Sequence, residues 1–238
     1  MIVTDDREQA KFPPDRSVQR IRLQSGSPSS PVQHAGCFQT RPATISTMTT
    51  GKGKEGGRGT MNAVELLQRL HQHRAWVSGN LLAAAATLND EQLRTPFQIG
   101  QGSIWKSLVH LYAAEHVWLE ALLGNEAFIV PGDLPGKIPG NQQGEGGVID
   151  LADLRQKWSA LEQRWNGYLA NLPTEALEEL VNRRGGMGRF STRRSDVLLH
   201  VCTHAHYTAA QVVNMLRHVG VEKLPDTMLI SLARQEAK

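Results

Sequence analysis

Apolar residues recur at three- and four-residue spacing in four long stretches of this chain, the period of helices that each bury one face. In the first, Leu66, Leu67, Leu70, Arg74, Val77, Leu81 and Leu82 form a stripe expected to run to about Leu88. Asn62, with Glu65 three residues on, makes a capping pair at its start. The second is expected from Ser103 to Gly124, with Ile104, Leu108, Leu111, Trp118, Leu119 and Leu122 inward. Gly124 suits the position just past a helix end. The third starts at an Asp150 cap and reaches about Leu172, its stripe being Leu154, Trp158, Leu161, Trp165 and Leu169. Pro173-Thr174 stops it and leads into a turn of helix, Glu175 to Val181. The fourth is expected from Ser195 to His218 with Gly220 as its stop, and Asp226 caps a short fifth, Thr227 to Glu236. The pattern predicts an all-α four-helix bundle with a short C-terminal helix.

The connections are unequal. Residues 124–149 form a 26-residue loop with seven glycines and three prolines, longer than a plain bundle turn. Loops of that length are usually functional or disordered, and this one is expected to act as a mobile cover, with Phe128, Ile129, Val130 and Ile138 as an apolar plug. Residues 182–194 read as a short extended segment ahead of the fourth helix.

Upstream of Met61 the pattern disappears. Residues 1–60 contain 25 Gly, Pro, Ser or Thr and two aromatics, Phe12 and Phe38. Too little apolar surface is present there to offset chain entropy, so a disordered, dispensable tail is expected ahead of a 61–238 domain. Translation starting at Met61 is the competing expectation.

Location of the charges changes what the net +3 implies. Residues 1–60 hold 9 of the 26 basic and 5 of the 23 acidic residues, which leaves 17 and 18 for 61–238. The bundle is thus nearly neutral, and a basic face for nucleic acid is not expected. Cys37 and Cys202 sit in no CxxC or zinc-finger spacing, which excludes a disulfide framework and suits a reducing cytoplasm. The longest apolar run, Leu81 to Ala86, is far too short to span a membrane, and no export signal is evident.

Eight of the nine histidines fall in 61–238. His200 and His204 stack on one face of the fourth helix, Thr208 continues their row, and His206 points the other way. His110 lies in the second helix, where a bundle neighbour faces it, and histidines on facing helices are how bundles hold metal ions. Surface hydrogen bonding is the plainer use of such a pair. His71 and His73 are expected at the surface or the mouth of the bundle, the five tryptophans in the core, and Asn80 in a hydrogen bond across the bundle. Arg183, Arg184, Arg189, Arg193 and Arg194 crowd a glycine loop that either is simply solvated or grips phosphate or carboxylate groups.

Three stretches resemble the DinB-like family of helical bundles. They are Leu66-Leu67…Trp76…Asn80-Leu81-Leu82, Gly102-Ser103-Ile104-Trp105…His110-Leu111…Glu115-His116-Val117-Trp118-Leu119, and Leu199-His200…His204…Thr208…Gln211…Met215-Leu216-Arg217…Gly220. The resemblance spans 61–238 and implies a divalent metal (zinc, nickel or manganese) held by three histidines. Carried over by position, the ligands are His110, His204 and Thr208. The last is a departure, since a hydroxyl is a poor ligand for zinc or nickel. His200 is the candidate substitute one turn upstream, and Glu115 or His116 would contribute only if the second helix were rotated.

The implied function is a metal-dependent transferase or hydrolase acting through an activated thiol or water. The alternative is a non-catalytic bundle that binds a small molecule or dimerises, with a degenerate metal site. Family members often pair, so a homodimer is expected, unless the fifth helix covers the apolar face instead.

Overall fold

The computed structural model describes residues 61–185 and 188–237. The expectations for residues 1–60 lie outside these described residues. Four long helices form the frame: α1 (Ala63–Ala85), α3 (Ile104–Leu122), α4 (Leu151–Ala170) and α5 (Arg194–His218). A short α2 (Asp90–Arg94) lies between the first two, and α6 (Leu229–Glu236) closes the chain.

The helix starts follow from their caps. Asn62 and Glu65 form the reciprocal capping box of α1, Ser103 Oγ accepts from Lys106 N, and Asp150 Oδ1 accepts from Asp153 N. Gly124 and Gly220 follow α3 and α5 with φ of +93° and +84°, a conformation that glycine adopts without a Cβ penalty. The long helices match their expected spans to within three residues. Only a five-residue 3₁₀ turn, Thr174–Glu178, stands where a turn of helix up to Val181 was expected.

Helix α1 packs on α4 and α5, and α3 packs on the same two. The order around the bundle is therefore α1–α5–α3–α4, and the connection carrying α2 crosses a diagonal. Trp158, Trp165, Leu81, Leu108, Leu154 and Met215 fill the core with almost no exposure. Trp105 is also buried, whereas Trp76 and Trp118 are partly exposed. Helix α6 lies against α1 through buried Leu232, with an Arg69–Glu236 ion pair at 2.7 Å, and so covers part of its outer face. Asn80 donates to the Asp226 carbonyl just ahead of α6.

The expected extended segment, 182–194, proves to hold most of a two-stranded β-hairpin. Strands β1 (Leu180–Gly185) and β2 (Gly188–Arg193) pair antiparallel, from Leu180 opposite Arg193 to Gly185 opposite Gly188. The hairpin rests on α3 and α5, with buried Val181 as its anchor. No helix among the described residues is long and apolar enough to cross a membrane.

Candidate metal centre

The Ser103 cap and the Gly124 stop set the position of α3, and the pairing of Arg194 N with Glu179 O sets the start of α5. Packed together, the two helices bring His110 and His204 face to face. Their Nε2 atoms are 3.2 Å apart and their rings meet edge to face at 5.1 Å. Two imidazole nitrogens at roughly 2.0–2.1 Å from one tetrahedral ion would be separated by about 3.3 Å. The observed spacing fits a shared ion, and it equally fits an Nε2–H of one ring donating to the other.

The 124–149 loop fixes the tautomer of His110. The Pro139 carbonyl accepts from His110 Nδ1–H at 2.7 Å. A carbonyl can only accept, so the ring hydrogen sits on Nδ1 and the Nε2 lone pair faces His204. Carbonyls that orient imidazoles in this way are a recurring support in metal sites. At the next residue, Gly140 has φ +87°, and a Cβ there would lie 2.5 Å from the His110 Cα. The loop can approach α3 this closely only with glycine at 140.

The loop itself is constructed, not slack. Asp133 accepts from the backbone of Gly140 and Gln142 and from the Gln142 side chain, Gly144 N bonds Gly132 O, and Val130 is buried. The loop expected as a mobile cover thus carries a hydrogen-bonded framework of its own. Gly140→Ala is expected to lower the thermal midpoint by more than Gly136→Ala. Both substitutions force a left-handed alanine at about 1–2 kcal/mol, but only Gly140 adds a backbone clash, since nothing lies within 4 Å of a Cβ at Gly136. Equal losses in thermal melts would show that the loop does not bear on α3.

The other sequence candidates separate. Thr208 is buried one turn beyond His204 and offers a hydroxyl where the resemblance implies an imidazole. His200 is exposed, 5.8 Å from the His204 ring and edge-on to Trp118 at 5.3 Å. Among the described residues no three His, Cys, Asp or Glu side chains form a ligating group, so His200 does not complete a set with the pair. His116 turns toward Phe128 and the Arg164 side chain, and Glu115 faces the bundle interior. Burial, and then any charge on His110 or His200, pushes the His204 pKa down to about 4. Near neutrality His204 is therefore uncharged and has a lone pair to offer.

His71 corrects the sequence reading. It is 2 % exposed and bonds the Leu198 carbonyl at 3.2 Å, and burial depresses its pKa to about 3. Next to it lies a polar group that the sequence reading passed over. Arg74 pairs with Glu115 and, through both Nη atoms, with Glu162 at 2.6 and 2.7 Å, and Trp158 Nε1 donates to Glu115 at 3.0 Å. The available signal was an arginine on an apolar helical stripe. The Pro139 carbonyl had no sequence signal beyond loop length.

The model of the DinB family matches residues 60–237. The chain belongs to the DinB family. Among solved structures, it is similar to YfiT from Bacillus subtilis, with 18% identity, a TM-score of 0.49, and coverage of 71% of this chain and 95% of that one. YfiT is described as a probable metal-dependent hydrolase with an unusual four-helix bundle topology. No curated protein matches the sequence. Within the DinB bundle of this chain, the place where α3 and α5 bring two imidazoles together is the candidate centre.

Proposed function

We propose that His110 and His204 hold one divalent cation and that the protein is a metal-dependent hydrolase or thiol-dependent transferase. The observation that carries this reading is the pair of Nε2 atoms 3.2 Å apart, one of them aimed by the Pro139 carbonyl. An all-imidazole donor pair suits zinc or nickel better than manganese, which prefers carboxylate oxygen. When bound, such an ion lowers the pKa of a water or thiol and so supplies a nucleophile near neutral pH. The chain's own residues do the rest. His204, kept uncharged near neutrality by burial, has a lone pair to offer, the Pro139 carbonyl accepts from His110 Nδ1–H and so turns Nε2 toward His204, and the loop shields the site from one side. Thr208 leaves the third position without a strong donor, which would weaken the ion's hold and leave room for a substrate thiol or water.

The second reading is an ion-free bundle, a binding or dimerisation module. It is favoured by Thr208 and by the hydrogen-bonding distance between the two rings. Metal analysis of protein purified without an affinity tag separates the two. Stoichiometric zinc or nickel, lost in His110→Ala and His204→Ala, is the expected result. Metal-free protein whose melting curve does not move on adding zinc would leave the ion-free module standing. A sedimentation run on the same sample tests the expected homodimer.

A further inference from the structure

Between the 124–149 loop, α3 and the hairpin lies a pocket of about 720 Å³, within the range of small-molecule sites. Its walls include Trp118, Phe128, Ile129, Leu134 and Phe190, with Arg183 among them. Two wall residues also touch the histidines: Pro139 through the carbonyl that His110 bonds, and Trp118 through its edge contact with His200.

Arg183 differs from the other arginines of its cluster. Arg184 and Arg189 face Glu126 at 3.9 and 2.7 Å, Arg193 faces Glu178 at 3.5 Å, and Arg194 faces Glu179 at 2.7 Å. Arg183 has no ion pair among the described residues. Its guanidinium lies over the Trp118 ring at 5.4 Å, and its one hydrogen bond goes to the neighbouring Arg184 carbonyl at 3.3 Å. Pairing with Phe190 across the hairpin holds its backbone in register. Half-buried without an anion, it has its pKa lowered by desolvation. Asp133, also on the wall, makes no ion pair with Arg183; its oxygens accept from Gly140 N, Gln142 N and Gln142 Nε2.

We propose that this pocket binds an amphipathic carboxylate, with Arg183 on the carboxylate and Trp118 and Phe128 against its aromatic or aliphatic body. A guanidinium over an indole that donates through Nη1 to the Arg184 carbonyl has further N–H groups to offer a planar carboxylate. Two further cations line the pocket, Lys137, which is exposed, and Arg184, which faces Glu126, so Arg183 is the half-buried cation without an anion, and its apolar surroundings match an anion with an apolar tail. As the substrate site of the proposed reaction the pocket rests on the histidine-pair reading; as a binding site it does not.

Calorimetry on the full-length, chelator-treated protein tests this with three probes of one shape: 4-phenylbutyrate, 4-phenylbutan-1-ol and 4-phenylbutylamine. The carboxylate is expected to bind about tenfold or more tighter than the alcohol, with the amine weakest, as one charge-assisted contact implies. Arg183→Gln should bring the carboxylate down to the alcohol's affinity while leaving the alcohol unchanged, and Arg183→Lys should restore part of the preference. An unaltered thermal midpoint in both variants reports that the fold is intact. Equal binding of all three probes, no measurable carboxylate binding, or a preference that survives Arg183→Gln would each overturn the proposal. Because metal is absent throughout, none of these outcomes bears on the histidine pair, which the metal analysis tests separately.

Discussion

Thr208→His is expected to raise zinc or nickel affinity by about tenfold or more, ~1.4 kcal/mol or greater. His110 and His204 already meet, with Nε2 atoms 3.2 Å apart, and position 208 lies one helical turn beyond 204 on the same row. A third imidazole there would replace a weak hydroxyl donor by a strong nitrogen, completing the three-ligand set of an open catalytic zinc site. Thr208 is 2 % exposed, so the larger ring must find room between helices. Some loss of metal-free stability, roughly 1–3 kcal/mol, is expected from overpacking. Zinc should return much of it, because an ion that binds only the folded state stabilises that state by mass action. His204→Ala in the Thr208→His background should abolish the gain. Calorimetric titration of wild type and both variants at neutral pH provides the check. Unchanged affinity in Thr208→His would mean that position 208 does not face the pair. Tight binding already present in the wild type would mean that another donor serves as the third ligand.

The helices were legible because each carries one apolar stripe and begins at a readable cap. Their order around the bundle was not, since a single stripe says which face is buried but not against which neighbour. The phase of α1 shows the limit in detail. Following leucines, the sequence reading drew the stripe through Leu66 and Leu70, yet Leu66 is 53 % exposed. The buried residues are Val64, Leu67, His71, Arg74, Val77, Ser78, Leu81, Leu82 and Ala85, so three of the nine are polar. Spacing places Arg74 on the stripe but does not name its partners on α3 and α4, and it leaves out His71, whose partner comes from α5. The hairpin was only half legible for a related reason. Its arginines and glycines show no two-residue alternation, and pairing across strands is non-local. At the candidate centre, the meeting of His110 and His204 follows the positions that the family resemblance implies, whereas the Pro139 carbonyl required the loop's path.

Arg74→Met is expected to cost about 3–5 kcal/mol, the usual penalty for stripping the partner from a buried charge. For a domain of this size that lowers the thermal midpoint by roughly 10 °C. Arg74 is 3 % and Glu115 1 % exposed, so the carboxylate has no route to water when the guanidinium is removed. Glu162 suffers less, because its side chain is 21% exposed. Burial, opposed by Arg74 and reinforced by the Glu162 carboxylate, already pushes the Glu115 pKa up to about 7. An acid whose folded pKa lies above its unfolded value contributes stability that is full below the unfolded pKa and is lost as pH rises through the folded one. Without Arg74 the folded pKa rises further, so the deficit relative to wild type should be small near about pH 5 and larger near about pH 8. Adding Glu115→Gln removes the charge and keeps an acceptor for Trp158 Nε1, which donates to Glu115 at 3.0 Å. The double variant should recover at least about half of the loss and lose most of the pH dependence. Denaturant melts of wild type, both single variants and the double variant at the two pH values form the cycle. A deficit independent of pH, or a double variant no more stable than Arg74→Met, would show that lost packing around the arginine, not an unpaired carboxylate, sets the cost.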